Sequence, residues 1–388
     1  MVGDGRTLAV ESRMNPQAQY GADVIMRANY ALEHGTEALS MCVRKAVNEM
    51  LGSLAEDAGI RREDVFQVCV VGNTCMHHLF LGISPASLVH APYTPAVSER
   101  LVLNAGDYGL AVQERAELIM LSDIAGYVGA DTCGCLLAIR QDQQEEISLM
   151  IDIGTNGEMV LGNRERMVTC STAAGPAFEG AKIECGMRGA AGAVDHVKYE
   201  DGKWNYTTVG NKPAVGLCGS GLIDLVAGLL DAGMLDENGV LRSGQEKQGV
   251  FILVLPERGG NERGVYLTQK DLGEVQLAKA AIAAGIQMLM ERLGITEDDI
   301  CSVYIAGAFG NYMDPVSAGK IGLFPATLVK KVKPVGNAAG EGAKIALVNE
   351  KEMLEMDELV RKIEFVELAA SADFQDHFID ELGFETGE

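Results

Sequence analysis

The sequence predicts an α/β protein built from two lobes of similar plan, and three observations support this fold class. An apolar strand-turn-strand pattern occupies residues 149–161. Residues 59–72 align with residues 294–307, and glycine stands at both ends of each copy. Each copy follows an amphipathic helical pattern, over residues 43–58 and 277–293, and leads into a short apolar strand. A repeated helix-strand unit within one chain indicates a duplicated α/β architecture.

The predicted elements divide the chain into a first lobe at residues 1–146 and a second lobe at residues 147–388. In the first lobe we expect a strand at 7–13, helices at 22–33 and 36–58, a strand at 66–71 and a helix that ends near 138. Prolines and an alternating apolar pattern between them predict an inserted subdomain of strands and loops at about 83–121. The acidic stretch 141–146 is interpreted as a solvated linker between the lobes.

The strongest candidate for a functional site is the turn within residues 149–161. Asp152 lies at the end of the first strand of this hairpin. The turn consists of Gly154, Thr155, Asn156 and Gly157. Small residues allow backbone N–H groups to approach a polyphosphate, and Asp152 can hold Mg²⁺, directly or through water, or orient a water as the catalytic carboxylate. The alternative is an ordinary tight hairpin.

A second, weaker internal match aligns residues 7–22 with residues 166–181. Residues 166–181 begin with the strand that follows the hairpin of Asp152, so the corresponding first-lobe hairpin would precede Met1. We therefore expect that this chain lacks a first phosphate loop.

Two further segments contain candidate ligand-binding groups. One is the start of an amphipathic helix, formed by Gly219, Ser220 and Gly221. Its N–H groups could hold a phosphate oxygen, and a simple helix cap by Ser220 is the alternative. Asp131 is a carboxylate among small and apolar residues, which could reach a phosphate cleft or serve at a helix start or on the surface. Adjacent His77 and His78 diverge on a helix, so core and surface positions are favoured over a shared metal.

Composition narrows the classes of partner. The formal net charge is -23, and the basic residues are scattered, which argues against a sequence-independent nucleic-acid surface. No apolar stretch reaches membrane-spanning length, and the chain does not open with an export signal pattern. The nine cysteines indicate a reducing compartment, so a cytoplasmic location is expected. Their spacing does not include the C-x4-C-x2-C pattern of a plant-type [2Fe-2S] loop.

Together these motifs resemble a known superfamily and, within it, one family. Duplicated lobes with an Asp-x-Gly-Thr hairpin resemble the ASKHA superfamily of actin, sugar kinases and chaperone-type ATPases, with its duplicated ribonuclease H-like fold. The family resemblance is to reductive activators of corrinoid proteins. It rests on residues 12–17, 20–25, 151–158, 170–180, 216–224 and 304–312.

The resemblance implies cofactors, a partner and one more binding segment. It implies ATP with Mg²⁺, a corrinoid protein partner, and support for ATP-dependent reduction of Co(II) to Co(I) corrinoid before methyl transfer. The partner would be a corrinoid iron-sulfur protein or the corrinoid subunit of a methyltransferase. A [2Fe-2S] cluster is expected only in an N-terminal ferredoxin-like domain that this chain does not contain. In the superfamily a glycine-rich turn faces adenosine, and here it corresponds to Gly307, Ala308, Phe309, Gly310 and Asn311.

Two other functional classes stay open at this point. A small-molecule kinase of the same superfamily would need a base and a substrate pocket, which the sequence does not locate. The third class is a non-catalytic nucleotide-binding or regulatory module. A missing first phosphate loop would remove one set of contacts to the phosphates, which makes this class plausible. Helix pairs in two-lobed proteins of this kind can form homodimers.

Overall fold

The computed structural model describes residues 5–242, 249–307, 310–369 and 371–384. The chain forms two compact units. One comprises Met1–Gln143 with Asn337–Phe365, and the other comprises Gln144–Gly336 with Val366–Glu388. The α/β fold class predicted from the sequence is confirmed.

The first unit contains a small three-stranded sheet and several helices. Its elements up to residue 143 are α1 (Val24–His34), α2 (Glu37–Ala58), β1 (Gln67–Val70), α3 (Thr74–Leu81), β2 (Leu101–Asn104), β3 (Glu117–Met120) and α4 (Ala130–Ile139). The strand order is β1-β3-β2, with β1 and β3 parallel and β2 and β3 antiparallel. Strands β2 and β3 lie in the segment where an inserted subdomain is expected, and they join β1 in one sheet.

The strand predicted at residues 7–13 is wrong. These residues are extended but form no strand, and no described segment pairs with them. Their second-unit counterpart in the weaker repeat is a paired strand. Alternating apolar residues become a strand only when a neighbour satisfies their backbone groups, so Leu8 and Val10 instead stay exposed.

The second unit follows next in the chain. Its elements are β4 (Ser148–Ile153), β5 (Gly157–Gly162), β6 (Met167–Thr172), β7 (Ala193–Glu200), β8 (Lys203–Thr208), β9 (Gly216–Leu217), α5 (Gly219–Asp231), β10 (Val250–Val254), β11 (Val265–Thr268), α6 (Gln269–Leu293), β12 (Ser302–Ala306), α7 (Pro315–Lys320) and β13 (Val332–Gly336). Helices α8 (Ala338–Val348) and α9 (Glu350–Val360) belong to the first unit, and α10 (Ala372–Asp380) belongs to the second.

The main sheet of the second unit combines both strand directions. Strands β4, β5 and β6 form an antiparallel meander, and β12 and β13 extend it in parallel beside β4. Helix α6 packs on β5 and β6. Within β4 every residue except Asp152 is buried. A second sheet of this unit has the order β8-β7-β9 and leads directly into α5.

The two copies of the stronger sequence repeat have the same local structure. Helices α2 and α6 both end at a left-handed glycine, Gly59 with φ 66° and Gly294 with φ 69°. The aligned aspartates Asp64 and Asp299 then accept hydrogen bonds from the backbone N–H three residues earlier, at 3.0 and 2.9 Å. Each copy continues into a strand, β1 or β12. The repeat therefore encodes a helix end, a capping box and a strand start.

No helix within the described ranges combines the length and the apolar character needed to cross a bilayer.

Candidate functional site

The second unit contains a cavity of about 680 Å³ at the ends of β4 and β12. Its second wall comes from β7 and from the start of α5. The predicted site residues that line it are Asp152, Gly154, Gly219, Ser220 and Gly307. Three segments that are far apart in the sequence therefore meet at one cavity.

The hairpin turn after β4 is fixed by hydrogen bonds of its backbone and of the Thr155 side chain. Strands β4 and β5 stay paired up to Ile153 and Gly157. The Gly154 N–H donates to the Asn156 carbonyl oxygen at 3.0 Å. The Thr155 hydroxyl donates to Glu179 Oε1 at 2.7 Å. Because the Thr155 hydroxyl already has this acceptor, the backbone of the turn is the part left to face a ligand.

The two glycines of this turn have different physical roles. A Cβ added at Gly154 would meet Asn156 O at 3.6 Å and Glu179 Oε1 at 3.7 Å, which are ordinary contacts. A Cβ at Gly157 would lie 2.9 Å from Thr172 Oγ1 and 3.1 Å from Ile282 Cγ1. Gly157 is therefore required by packing inside the unit. Nothing in the described protein requires glycine at 154, where the residue borders the cavity.

The turn after β12 places its glycine against the carboxylate of the first hairpin. Asp152 is in register with Ala306, the last residue of β12. The next residue, Gly307, has φ 89°, and its N–H donates to Gly336 O at 2.9 Å. A Cβ at Gly307 would lie 2.9 Å from Asp152 Oδ1. Glycine at 307 therefore satisfies both a left-handed backbone and a close approach to Asp152.

The rest of the predicted adenosine segment lies partly outside the cavity wall. Ala308 and Phe309 fall outside the described residues. The Gly310 N–H donates to Gly307 O at 3.2 Å, which closes the turn. Asn311 is exposed and lies beside Gly336. A Cβ added at Gly336 would lie 2.8 Å from Asn311 Nδ2.

Helix α5 begins at the cavity without a side-chain cap. Its N-cap residue is Cys218, and among the described residues no side chain caps the first N–H groups. The Ser220 hydroxyl donates instead to Asp195 O at 2.8 Å, so the alternative of a helix cap by Ser220 is wrong. A Cβ at Gly221 would lie 2.2 Å from Val194 O, so this glycine lets α5 pack on β7. The free N–H groups at this helix start favour a polar or anionic ligand.

Several cavity residues were not among the predicted site residues. Those with polar or charged side chains include Glu179, Arg188, Asp195 and Tyr312. The Arg188 side chain is exposed and forms no ion pair with any described residue. No local sequence pattern distinguishes Arg188 from the other charged residues of the surface.

The remaining candidates belong to the first unit. Asp131 is the second residue of α4, whose N-cap is Gly129, and its Oδ1 accepts from the Thr132 N–H at 2.9 Å. His78 bridges two backbone groups, with Nδ1 2.8 Å from Thr74 O and Nε2 accepting from the Ala96 N–H at 2.9 Å. Those partners set the tautomer with the proton on Nδ1 and leave no nitrogen for a metal.

His77 and three cysteines of the first unit also lie in positions that do not favour metal binding. His77 Nδ1 lies 3.2 Å from Asp123 Oδ1, and both side chains are buried. Burial raises the pKa of Cys69 and of Cys75 to about 12, and it also raises the pKa of the Cys133 thiol well above its usual range. High pKa values disfavour the thiolate that binds metals. Across the described parts of the chain, no three His, Cys, Asp or Glu residues are placed to share a metal ion.

A mixed sheet with a glycine hairpin, a carboxylate and a second glycine turn beside one cavity is the plan of an ASKHA-type domain. The family model described as "C-terminal domain of RACo the ASKHA domain" matches residues 146–388, and the model of the RACo middle region matches residues 2–144. The chain belongs to the RACo family of reductive activators of corrinoid proteins.

Individual relatives agree with this assignment. The chain is 34% identical to the corrinoid activation enzyme RamQ of Eubacterium limosum, over 97% of this chain and 66% of the relative. It is 26% identical to the [Co(II) methylated amine-specific corrinoid protein] reductase of Methanosarcina barkeri, over 94% of this chain and 71% of the relative.

A solved structure is also similar. The structure titled "Reductive activator for corrinoid,iron-sulfur protein" superposes with a TM-score of 0.89 at 37% identity, and it covers 98% of this chain. The chain spans 62% of that protein and 66% of RamQ, so it corresponds to about two thirds of these relatives.

Proposed function

We propose that this chain is the ATP-binding part of a reductive activator of corrinoid proteins and supports ATP-dependent reduction of Co(II) to Co(I) corrinoid. The observation that carries the proposal is the cavity where the β4–β5 turn, the start of α5 and Gly307 meet. Family membership and the names of the relatives support the corrinoid protein as partner.

The residues around Asp152 fit the phosphate end of a nucleotide. Gly154 presents backbone to the cavity with no side chain in the way, and Gly307 leaves Asp152 uncovered by a Cβ. Mg²⁺ bound to ATP would neutralise phosphate charge, and Asp152 would hold it directly or through water. Arg188, which has no ion-pair partner among the described residues, would bind a phosphate oxygen.

The start of α5 fits a second contact with the nucleotide. The N–H groups of Gly219 and Ser220 border the cavity and are not capped by a side chain. Thr155, Asn156 and Gly157 would hold the turn in shape, and Gly221 would hold α5 against β7. Gly307 to Asn311 would form the adenosine side, as the family resemblance implies.

The cysteines described here do not fit an iron-sulfur cluster. They are dispersed over both units, and the described residues contain no group of three potential ligands. No electron-transfer step is therefore assigned to this chain's own residues. In the proposed reaction the electron comes from an external low-potential donor, and one electron converts Co(II) to Co(I).

Nucleotide binding is tested by thermal unfolding with and without saturating Mg-ATP. At a ligand concentration 100 times Kd, binding stabilises the folded chain by about 2.7 kcal/mol. We expect this stabilisation in the wild type and its loss in Asp152→Ala. Asp201→Asn is the control, because Asp201 is exposed in the β7–β8 turn. An unchanged wild-type midpoint would contradict nucleotide binding.

Activation is tested with a Co(II) corrinoid protein, a chemical electron donor and ATP. We expect the chain to increase the amount of Co(I), followed by its absorbance, only when ATP is present. Omission of ATP and the Asp152→Ala variant are the controls. ATP-dependent phosphorylation of a small metabolite without any effect on the corrinoid would instead support the kinase alternative.

A further inference from the structure

We propose that Asp195 recognises the ribose of the bound nucleotide by accepting hydrogen bonds from its hydroxyl groups, so that the site selects ribonucleotides over deoxyribonucleotides. This inference rests on the proposed function. It adds which part of the nucleotide the residues of β7 at the cavity contact. It concerns a residue that borders the cavity but that the sequence motifs do not include.

A β-bulge places Asp195 at the cavity. Val194 in β7 is in register with Thr208 in β8, whereas His196 is in register with Thr207. Asp195 is thus an extra residue between two consecutive pairs of the ladder. A bulge of this kind turns one side chain away from the regular alternation of the strand, and bulges are frequent beside functional sites. The bulge accounts for a carboxylate at a position that strand periodicity would not select.

The carboxylate of Asp195 is held on one side and open on the other. The Thr207 hydroxyl donates to Oδ1 at 2.6 Å. The Ser220 hydroxyl donates to the Asp195 carbonyl oxygen at 2.8 Å, which ties the bulge to the first turn of α5. Among the described residues no donor occupies Oδ2, and the side chain is partly exposed where it lines the cavity. A carboxylate fixed in this way is an oriented hydrogen-bond acceptor.

The charge of this group decides which part of a nucleotide it can contact. A carboxylate repels phosphate oxygens, and it accepts hydrogen bonds only from donors. The sugar hydroxyl groups are donors, and a carboxylate is the group that reads ribose hydroxyls in other nucleotide sites. The phosphates have a separate set of residues at Asp152, Gly154 and Arg188, so Asp195 is available for the sugar.

The test compares ATP, 2′-deoxy-ATP and 3′-deoxy-ATP by calorimetric titration of the full chain in Mg²⁺. A hydrogen bond to a charged group changes affinity by roughly ten- to a hundredfold. We expect the wild type to bind at least one deoxy analogue weaker than ATP by about this factor. In Asp195→Ala, ATP should bind as weakly as that analogue, and the analogue should bind as it does to the wild type.

Three comparisons separate this effect from damage to the fold. Asp201→Asn removes an exposed carboxylate from the same hairpin and should leave the preference for ATP unchanged. The wild-type series with the three nucleotides does not depend on the folding of any variant. Thr207→Val removes the donor to Oδ1 and should reduce the discrimination without abolishing ATP binding.

The outcomes distinguish this inference from the proposed function. Equal affinity of the wild type for all three nucleotides would overturn the ribose assignment while nucleotide binding stands. Discrimination that persists in Asp195→Ala would overturn it as well. Equal affinities in the wild type, together with loss of Mg-ATP binding in Asp195→Ala, would assign Asp195 to the metal instead. No binding of ATP to the wild type would overturn both proposals.

Discussion

Replacing Gly154 by alanine tests whether the β4–β5 turn is shaped for a ligand or for the fold. The added Cβ would lie 3.6 Å from Asn156 O and 3.7 Å from Glu179 Oε1, which are ordinary van der Waals contacts. Gly154 does not have a left-handed backbone, so alanine adds no backbone strain there. A glycine-to-alanine change at such a position stabilises a protein by about 0.4–1 kcal/mol through the unfolded chain. The ligand-free variant should be at least as stable as the wild type.

The affinity for ATP, by contrast, should be lower in Gly154→Ala than in the wild type. The new methyl group borders the cavity at the point where backbone would approach a phosphate. If it raises Kd a hundredfold, ATP at 100 times the wild-type Kd stabilises Gly154→Ala by about 0.4 kcal/mol, compared with about 2.7 kcal/mol for the wild type. Thermal midpoints measured without ATP and at several ATP concentrations give the stability of the ligand-free variant and its Kd for ATP in one experiment.

The neighbouring glycine of the same turn is the matched control. A Cβ at Gly157 would lie 2.9 Å from Thr172 Oγ1 and 3.1 Å from Ile282 Cγ1, so Gly157→Ala should cost about 1–3 kcal/mol without any ligand. If Gly154→Ala bound ATP like the wild type, the turn would not contact the nucleotide. If Gly154→Ala were the less stable of the two variants, the packing argument would be refuted.

Two further predictions concern the framework. Gly221→Ala should lower the urea midpoint, because the added Cβ would lie 2.2 Å from Val194 O. Gly273→Ala in α6 is the control, because a Cβ there would have no atom within 4 Å and should leave the midpoint unchanged. Equal midpoints for the two variants would refute the packing role of Gly221. The pKa of Asp299 lies below its usual 3.8, because the backbone N–H and then the hydroxyl of Thr296 donate to its carboxylate. A lowered folded-state pKa stabilises above pH 3.8, and this stabilisation is lost as pH falls through the folded pKa. Asp299→Asn should therefore be less stable than the wild type at neutral pH, and the difference in stability should become smaller in acid. A difference in urea midpoint that does not change with pH would contradict this prediction.

Much of the fold could be predicted from the sequence because local signals determine it. The glycines at 59 and 294 end their helices in both copies of the repeat, and the aspartates at 64 and 299 start the next turn. These interactions lie within a few residues, so composition and spacing are enough to identify them. The strand predicted at residues 7–13 failed because strand formation depends on a partner that periodicity does not reveal.

The candidate site was only partly predictable, for a related reason. The hairpin of Asp152 is a local motif, and its residues stand close together in the sequence. Asp195 lies at the cavity because of a bulge in the pairing of β7 with β8, and Arg188 lies there because of the path of the chain before β7. Neither residue belongs to a local pattern that would distinguish it from other surface charges.

The sequence by itself determined the α/β class, the internal repeat, the glycine-bounded turns and the family to which the chain belongs. Each of these depends on residue order over short distances or on similarity along the chain. Only the tertiary structure decided which glycines serve packing and which border the cavity, and which carboxylates accompany Asp152 there. The physical reason is that a cavity is formed by residues distant in sequence, whose approach is set by strand register and helix packing.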